Sequence, residues 1–485
     1  MNAIIRKNSS GFFFFGSIFL LFLLLTVITG IYYFIIIPFL FLFFLFGWQN
    51  IRAVFFLLIA LLPWSFEYNF SATLSTDIPD EFLMLFSTFL FFAYYFNKPD
   101  VLSSEVWKHP LMLLLAIHFI WIIVSVCFTT SGLISIKYLL AKSWYIGVFV
   151  LAPLLLLRNK MNFRITAIVF ATSIMIIVLV VLIRHAINGF TFATVNYAVI
   201  PFFRNHVVYS AMLVCTVPIL LAFYKPGNIL KKKILLALSI AVLLVALYFS
   251  YSRGAWLALF AGLLTYLLIK KKLLFLVFIT VLVAAFTSLF WVKSNDNYLS
   301  LAHDYKTTIY HQDFRQHLIA TYKLKDVSTA ERFYRWIAGV RMIKDNWLTG
   351  YGPGTFYYNY KPYAVSAFKT WVSKNEDRST VHNYFLLIAI EQGIPGLLFF
   401  LLLLGAMLYY AQILYHRIRD DFYKKVSITA GAIISMLIVV NFLSDLIETD
   451  KIGSIFFLCL SALVIADLNT RNERSDSLSK QQTIS

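Results

Sequence analysis

The chain has 485 residues, of which 60% are hydrophobic and 13% are charged, and its formal net charge is +18. Soluble globular proteins carry about 25% charged residues, so this composition excludes an ordinary soluble domain and indicates an integral membrane protein. In a membrane protein an excess of Lys and Arg is explained by basic cytoplasmic loops, and no nucleic-acid partner is predicted.

Fourteen apolar segments follow one another along the chain, and a membrane helix requires about 20 mainly apolar residues. Because short neighbouring segments can be halves of one span, the prediction is an all-α polytopic membrane protein with about 12–14 transmembrane helices. The segments are 12–29, 31–47, 51–63, 81–96, 110–128, 145–157, 165–183, 207–224, 234–250, 255–269, 273–291, 384–410, 428–446 and 455–466.

Lys and Arg are concentrated in alternate connections between these segments, and connections of this kind face the cytoplasm. With an even number of spans, all the basic clusters lie on one side and both termini are cytoplasmic. The clusters contain Arg6, Lys7, Lys98, Lys108, Arg158, Lys160, Arg164, Lys231, Lys232, Lys233, Lys270, Lys271, Lys272, Arg417, Arg419, Lys424, Lys425, Arg471 and Arg474.

The same threading places residues 293–381 outside the cytoplasm as one large loop, since long loops are translocated whatever their charge. Apolar residues at helical spacing predict a helix over 330–343, and the alternating glycines that follow predict a sharp break. The predicted organisation is N-terminal transmembrane helices in 1–292, a mainly helical periplasmic loop in 293–381, C-terminal transmembrane helices in 382–470 and a cytoplasmic tail in 471–485.

The three cysteines, Cys127, Cys215 and Cys459, all lie within apolar segments. None has a Cys or His neighbour at the spacing of a zinc site. Neither a disulfide nor a metal site is predicted.

Three basic residues lie at the outer ends of predicted helices: Arg204, Arg253 and His382. Charged groups at membrane depth are costly and are often functional, although an arginine at a helix end can simply reach the lipid phosphates. Two guanidinium groups can bind a diphosphate, and a neutral imidazole can accept a proton near neutral pH. Together the three residues indicate transfer from a diphosphate-linked donor to an alcohol.

A second group of candidate residues lies in the large loop. Arg332 and Arg335 share one face of the predicted helix, next to Trp336. The alternating glycines after it, which include Gly352 and Gly354, can point backbone N–H groups at a phosphate or can simply form a tight turn. The turn is the simpler interpretation, since no strand–helix context supports nucleotide binding.

Four motifs in this order resemble the O-antigen ligase family, whose superfamily also includes O-antigen and exopolysaccharide polymerases. The resemblance extends over 204–396, whereas the N-terminal helices match the family only in hydropathy. The motifs are Arg204 before a helix; Ser-Arg-Gly-Ala-Trp at 252–256; Glu-Arg at 331–332 with Trp336, Met-Ile at 342–343, Gly-Tyr-Gly-Pro-Gly at 350–354 and Phe356; and Val-His-Asn-Tyr-Phe-Leu at 381–386 with Glu-Gln-Gly-Ile-Pro-Gly at 391–396.

This resemblance implies a multi-pass glycosyltransferase of the bacterial inner membrane, with its active site on the periplasmic face. It implies transfer of a glycan from undecaprenyl diphosphate to a sugar hydroxyl of lipid A–core, in lipopolysaccharide biosynthesis. The implied reaction is inverting, independent of metal and without a cofactor. The expected partners are the lipid-linked glycan, the lipid A–core acceptor and membrane lipids.

The motifs also imply roles for single residues. Arg204 and Arg253 match the diphosphate-binding arginines of the family. His382 matches the proposed base, and Arg332 matches a loop arginine. The remaining candidates, without a settled role, are Arg335, Trp336, Gly352, Gly354 and Asn383.

Three other functions remain open. A polymerase of the same superfamily would use a second lipid-linked glycan as acceptor, and a protein O-oligosaccharyltransferase would use a Ser or Thr hydroxyl. A transporter would place acidic residues within apolar segments, and Asp445 and Glu448 near a helix end are the main candidates. The chain lacks the repeated halves that many transporters show.

Overall fold

A computed structural model of the protein describes residues 17, 19–29, 36–71, 74–224, 227, 229–293, 327–364 and 379–482. These residues form helices and one β-hairpin, so the predicted all-α polytopic fold is confirmed. The hairpin pairs β1 (Phe66–Ser71) with β2 (Leu74–Ile78) in antiparallel register, with an irregularity near its tip.

The helices are numbered here in chain order. Short 3-10 turns also occur at Leu62–Trp64, Pro99–Val101, Lys361–Tyr363 and Leu446–Glu448. The helices are α1 (Phe19–Thr29), α2 (Ile36–Gln49), α3 (Ile51–Leu61), α4 (Asp80–Asn97), α5 (Ser104–Trp107), α6 (Pro110–Cys127), α7 (Gly132–Ile146), α8 (Ala152–Leu156), α9 (Lys160–Ile187), α10 (Phe192–Val199), α11 (His206–Phe223), α12 (Leu230–Phe249), α13 (Arg253–Lys270), α14 (Leu274–Lys293), α15 (Val327–Asp345), α16 (Phe356–Asn359), α17 (Tyr384–Arg417), α18 (Asp421–Phe442) and α19 (Asp450–Gln482).

Each of the fourteen predicted apolar segments overlaps a helix. Within the described ranges, nine helices are long and apolar enough to cross a membrane: α6, α7 continued through a π-turn into α8, α9, α11, α12, α13, α17, α18 and α19. Helices α2 and α3 are bent by 109° at Asn50 and add a tenth span if they form one broken helix. The predicted number of 12–14 also includes α4 and the shorter apolar helices α1 and α14.

Hydrogen bonds and an ion pair between connections that are distant in sequence define two ends of the bundle. We name the loop end after the loop helix α15; it carries the starts of α7, α11, α13, α17 and α19. Here the backbone N–H of Thr130 donates to the carbonyl of Tyr351 (3.0 Å). The opposite, basic end carries the lysine-rich connections, where Lys160 pairs with Asp420 (Nζ–Oδ2 2.5 Å).

The large loop contains the helix predicted over 330–343. Helix α15 begins at Val327 and ends at Asp345, which confirms that prediction. The chain then turns through the alternating glycines, forms α16 and reaches Ala364 at the edge of the described range. It is described again from Ser379, directly before α17.

The two ends of the bundle allow a test of orientation. In a variant without Cys127, Cys215 and Cys459, Gly132→Cys introduces a thiol at the loop end and Lys271→Cys introduces one at the basic end; both positions are exposed. Because basic connections face the cytoplasm, a membrane-impermeant maleimide should label Gly132→Cys in intact cells and should label Lys271→Cys only after lysis. The reverse labelling pattern would contradict the predicted orientation.

Candidate active site

His382 lies in a strained turn directly before α17. Its φ of +54° is in the left-handed region, which non-glycine residues rarely adopt. The Thr380 hydroxyl oxygen accepts the backbone N–H of His382 (3.3 Å). Asn383 caps the helix, because its side-chain oxygen accepts the N–H of Leu386 (3.0 Å). Strain of this kind persists at active sites where the surrounding structure fixes it.

The loop helix α15 binds the backbone of this turn. The Arg335 guanidinium donates to the carbonyl of Thr380 (3.1 Å), and the Trp336 indole N–H donates to the carbonyl of Val381 (3.0 Å). The Arg335 side chain is also buried, 3.8 Å from the carboxylate of Glu331. Both loop residues therefore position the segment that carries the histidine, which is a role that spacing alone did not indicate.

Asp445 approaches the same turn from the connection between α18 and α19. Its carboxylate accepts a hydrogen bond from the Thr380 hydroxyl (Oγ1–Oδ2 2.7 Å), the same hydroxyl that accepts from His382. One residue earlier, the carbonyl of Ser444 accepts the N–H of Tyr384 (3.0 Å). The turn is thus fixed between the loop helix on one side and the α18–α19 connection on the other.

Positive charge surrounds the imidazole of His382. Burial lowers its pKa to about 3, and repulsion by Arg332, Arg335 and Arg204 lowers the pKa as well. The imidazole is therefore neutral near pH 7 and able to accept a proton. Arg204, an exposed residue between α10 and α11, also attracts the carboxylate of Asp445, whose pKa is raised by burial.

Arg253 is the first residue of α13 and is partly buried. Helix α13 packs along α18, and a Cβ atom on Gly254 would lie 3.4 Å from the side chain of Leu443. Arg253 therefore lies at the loop end, on a neighbouring helix. Of the two predicted diphosphate-binding arginines, Arg204 is the one that lowers the pKa of His382.

The glycine-rich turn binds a carboxylate of the protein itself. Gly352 and Gly354 have φ angles of +99° and +78°. The N–H groups of Gly354 and Phe356 donate to the two oxygens of Glu391 (2.9 and 3.0 Å), and the N–H of Gly352 donates to the Glu391 carbonyl (2.9 Å). The donors considered for a phosphate are thus occupied, and the structure supports the tight-turn interpretation.

This turn fills a break in α17. Gly393 has a left-handed φ of +73° inside the helix, which leaves the preceding carbonyl groups without helical partners. The carbonyl of Ile390 accepts the N–H of Tyr351 (3.0 Å), and the carbonyl of Gln392 accepts the indole N–H of Trp121 (2.8 Å). The loop and the membrane helix therefore complete each other's hydrogen bonding.

A family model described as O-antigen ligase matches residues 238–401. This region of the chain is similar to the O-antigen ligase family. The match confirms the predicted family and implies a glycosyltransferase-like enzyme. No curated protein matches the chain.

The matched region, residues 238–401, contains most of the site. It begins within α12 and ends within α17, just beyond the break at Gly393. The residues of the site inside it are Arg253, Arg332, Arg335, Trp336, Gly352, Gly354, Thr380, His382, Asn383 and Glu391. Arg204 and Asp445 lie outside the matched residues, and the fold brings both to the His382 turn.

Three residues of the site were not predicted as such: Thr380, Glu391 and Asp445. No sequence pattern indicates a role for Thr380. The hydrogen bonds of its hydroxyl are seen only in the folded turn. Glu391 and Asp445 do carry a signal, because an acidic residue in or beside an apolar segment is costly and therefore often functional. For Asp445 that signal suggested a transporter, whereas the structure places the carboxylate beside the candidate base.

Gly352 tests the docking of the glycine-rich turn. A Cβ atom there would collide with the side chain of Thr129 and lie 2.8 Å from the Cα of that residue, on backbone with φ +99°. Gly352→Ala should therefore destabilise the protein by about 1–3 kcal/mol and lower the Tm of the detergent-purified chain. Gly132→Ala is the matched control, since nothing lies within 4 Å of its Cβ position. Equal Tm values for the two variants would contradict this docking.

Proposed function

We propose that this protein transfers a glycan from undecaprenyl diphosphate to a sugar hydroxyl of lipid A–core, at the periplasmic face of the bacterial inner membrane. The match of residues 238–401 to the O-antigen ligase family supports this reaction class. The observation that carries the proposal is the neutral His382, held in a strained turn and surrounded by Arg204, Arg332 and Arg335.

A base beside several guanidinium groups fits a reaction in which an anion departs. The acceptor hydroxyl attacks the anomeric carbon of the donor glycan, a new C–O bond forms, and the C–O bond to the diphosphate breaks. His382 receives the proton of the hydroxyl. Arg204, with Arg253 on the neighbouring helix end, offsets the charge that grows on the departing diphosphate. The reaction proposed is inverting and requires no metal or nucleotide sugar.

The arginines also change the pKa of His382, the proposed base. Without a donor, burial and positive charge lower the pKa of His382 to about 3, which makes it a weak base. A bound diphosphate would bring negative charge to Arg204 and so raise that pKa, because opposite charge favours the protonated form. The histidine thus becomes a stronger base when the donor is in place.

The proposed acceptor is tested by supplying alternatives. The purified full-length protein would be reconstituted with undecaprenyl-diphosphate-linked glycan and offered lipid A–core, a second lipid-linked glycan, or a Ser/Thr peptide. Transfer to lipid A–core is expected. Exclusive chain growth on the second lipid-linked glycan would indicate a polymerase, exclusive transfer to the peptide would indicate a protein glycosyltransferase, and no transfer at all would overturn the proposal.

His382 can be tested directly in that assay. General-base catalysis contributes about 10²–10⁴-fold to rate, so His382→Ala should lower kcat by that factor while the protein still inserts and purifies normally. The control is His416→Ala, an exposed histidine at the basic end. Near-normal transfer by His382→Ala would remove this residue from the mechanism.

The pH dependence of transfer distinguishes a base from a residue that only binds. Because kcat/KM reports the pKa values of the free enzyme, its acid limb should lie well below pH 6. Arg204→Ala removes a charge that lowers the pKa of His382, so the acid limb should move to higher pH, in addition to any loss of rate. Lys361→Ala, an exposed loop variant, should leave the limb in place. If the acid limb of the kcat/KM profile of Arg204→Ala lies at the same pH as that of the wild type, His382 is not the base.

A further inference from the structure

Three aspartates meet at the loop end, where the β-hairpin contacts the last helix. Asp77 lies in β2, Asp80 is the first residue of α4 and Asp450 is the first residue of α19. One carboxylate oxygen from each lies within 4.8 Å of the other two. Asp77 and Asp80 are neighbours in sequence, but Asp450 lies near the other end of the chain, so no ligand spacing along the chain could predict the group.

One of these carboxylates has an unused acceptor in the interior. Asp80 is completely buried, and its Oδ1 accepts the N–H of Glu81 (3.0 Å). Its Oδ2 is buried and makes no hydrogen bond of normal distance and angle to any residue that the structure describes, although the Ser65 hydroxyl and the Lys451 ammonium both act on the carboxylate. Buried polar atoms of native proteins are almost always satisfied by protein, water or an ion, so this oxygen points to a ligand at the cluster.

When all three aspartates of the cluster are ionised, their negative charge exceeds the positive charge of the protein groups beside them. Lys451 attracts all three carboxylates, but its ammonium is directed to Ser65, bonding the carbonyl (2.9 Å) and the hydroxyl of that residue. Three carboxylates and one ammonium leave two negative charges. One divalent cation, or two protons, would neutralise them.

The chemistry of the ligands selects the kind of ion. Three carboxylates with no His or Cys suit a hard cation and do not suit zinc. Ca²⁺ accepts several protein carboxylates in a flexible geometry, whereas Mg²⁺ usually keeps several waters and takes only one or two carboxylates. A set of three aspartates therefore favours Ca²⁺.

We propose that Asp77, Asp80 and Asp450 bind one Ca²⁺ ion, which fastens the β-hairpin to the start of α19. The ion would be structural and separate from the chemistry at His382. Asp450 follows the connection that carries Asp445, so the ion would also stabilise the segment against which the His382 turn is fixed.

Terbium luminescence tests this site, because Tb³⁺ replaces Ca²⁺ at oxygen sites and emits when a nearby aromatic ring is excited. The phenol of Tyr145 donates a hydrogen bond to Asp450 and supplies such a ring. The full-length protein in detergent should give saturable Tb³⁺ emission that Ca²⁺ displaces, and Ca²⁺ should raise its Tm. Asp80→Asn should weaken the apparent Ca²⁺ affinity at least about tenfold.

Two further variants make the result decisive. Glu105→Gln changes an exposed carboxylate in α5 and should bind both ions as the wild type does. If Asp80→Asn fails to fold, Asp77→Asn, on the partly exposed hairpin, takes its place. The proposal is overturned if the wild type shows neither displaceable emission nor a Ca²⁺-dependent Tm, or if the aspartate variants respond as Glu105→Gln does.

Discussion

The buried carboxylate of Glu391 lies at the centre of the hydrogen bonds that join the large loop to the membrane bundle. Glu391 accepts hydrogen bonds from the backbone N–H groups of Gly354 and Phe356, and its own carbonyl accepts from Gly352. In a membrane protein every backbone polar group needs an internal partner, and the break at Gly393 removes the helical ones. The loop supplies the missing donors, so the broken helix and the loop depend on each other. These hydrogen bonds hold the described part of the loop against the bundle, where it forms one side of the site.

That docking determines where the candidate base lies. Helix α15 precedes the glycine-rich turn, and its Arg335 and Trp336 bind the backbone on the N-terminal side of His382. The Thr380 hydroxyl and Asp445 fix the turn from the other side. The same arrangement places arginines around the imidazole of His382. Their positive charge disfavours protonation of the imidazole until an anionic donor binds. The docking of the loop therefore both positions His382 and determines the charge around its imidazole.

Sequence patterns predicted the helices well because apolar segments long enough for a membrane have few alternatives. They also singled out Arg204, Arg253 and His382 as candidates, since charge at a helix end is unusual, and the roles of these residues stay predictions. They failed where the signal depends on three-dimensional contact. Thr380 and Asp445 meet only through the fold, and the donors of the glycine-rich turn could not be assigned to Glu391 rather than to a phosphate without the break at Gly393.

Hydrogen–deuterium exchange of the glycine-rich turn, measured together with glycan transfer, tests this account most directly. In the wild type the amides of residues 351–356 should exchange slowly, as expected for hydrogen-bonded backbone in a stable unit. In Glu391→Ala the same amides should exchange much faster, and transfer should fall because the part of the loop that positions His382 is no longer held against the bundle. Rapid exchange in the wild type, or undiminished transfer by a Glu391→Ala protein whose turn is unprotected, would contradict the dependence of the site on this carboxylate.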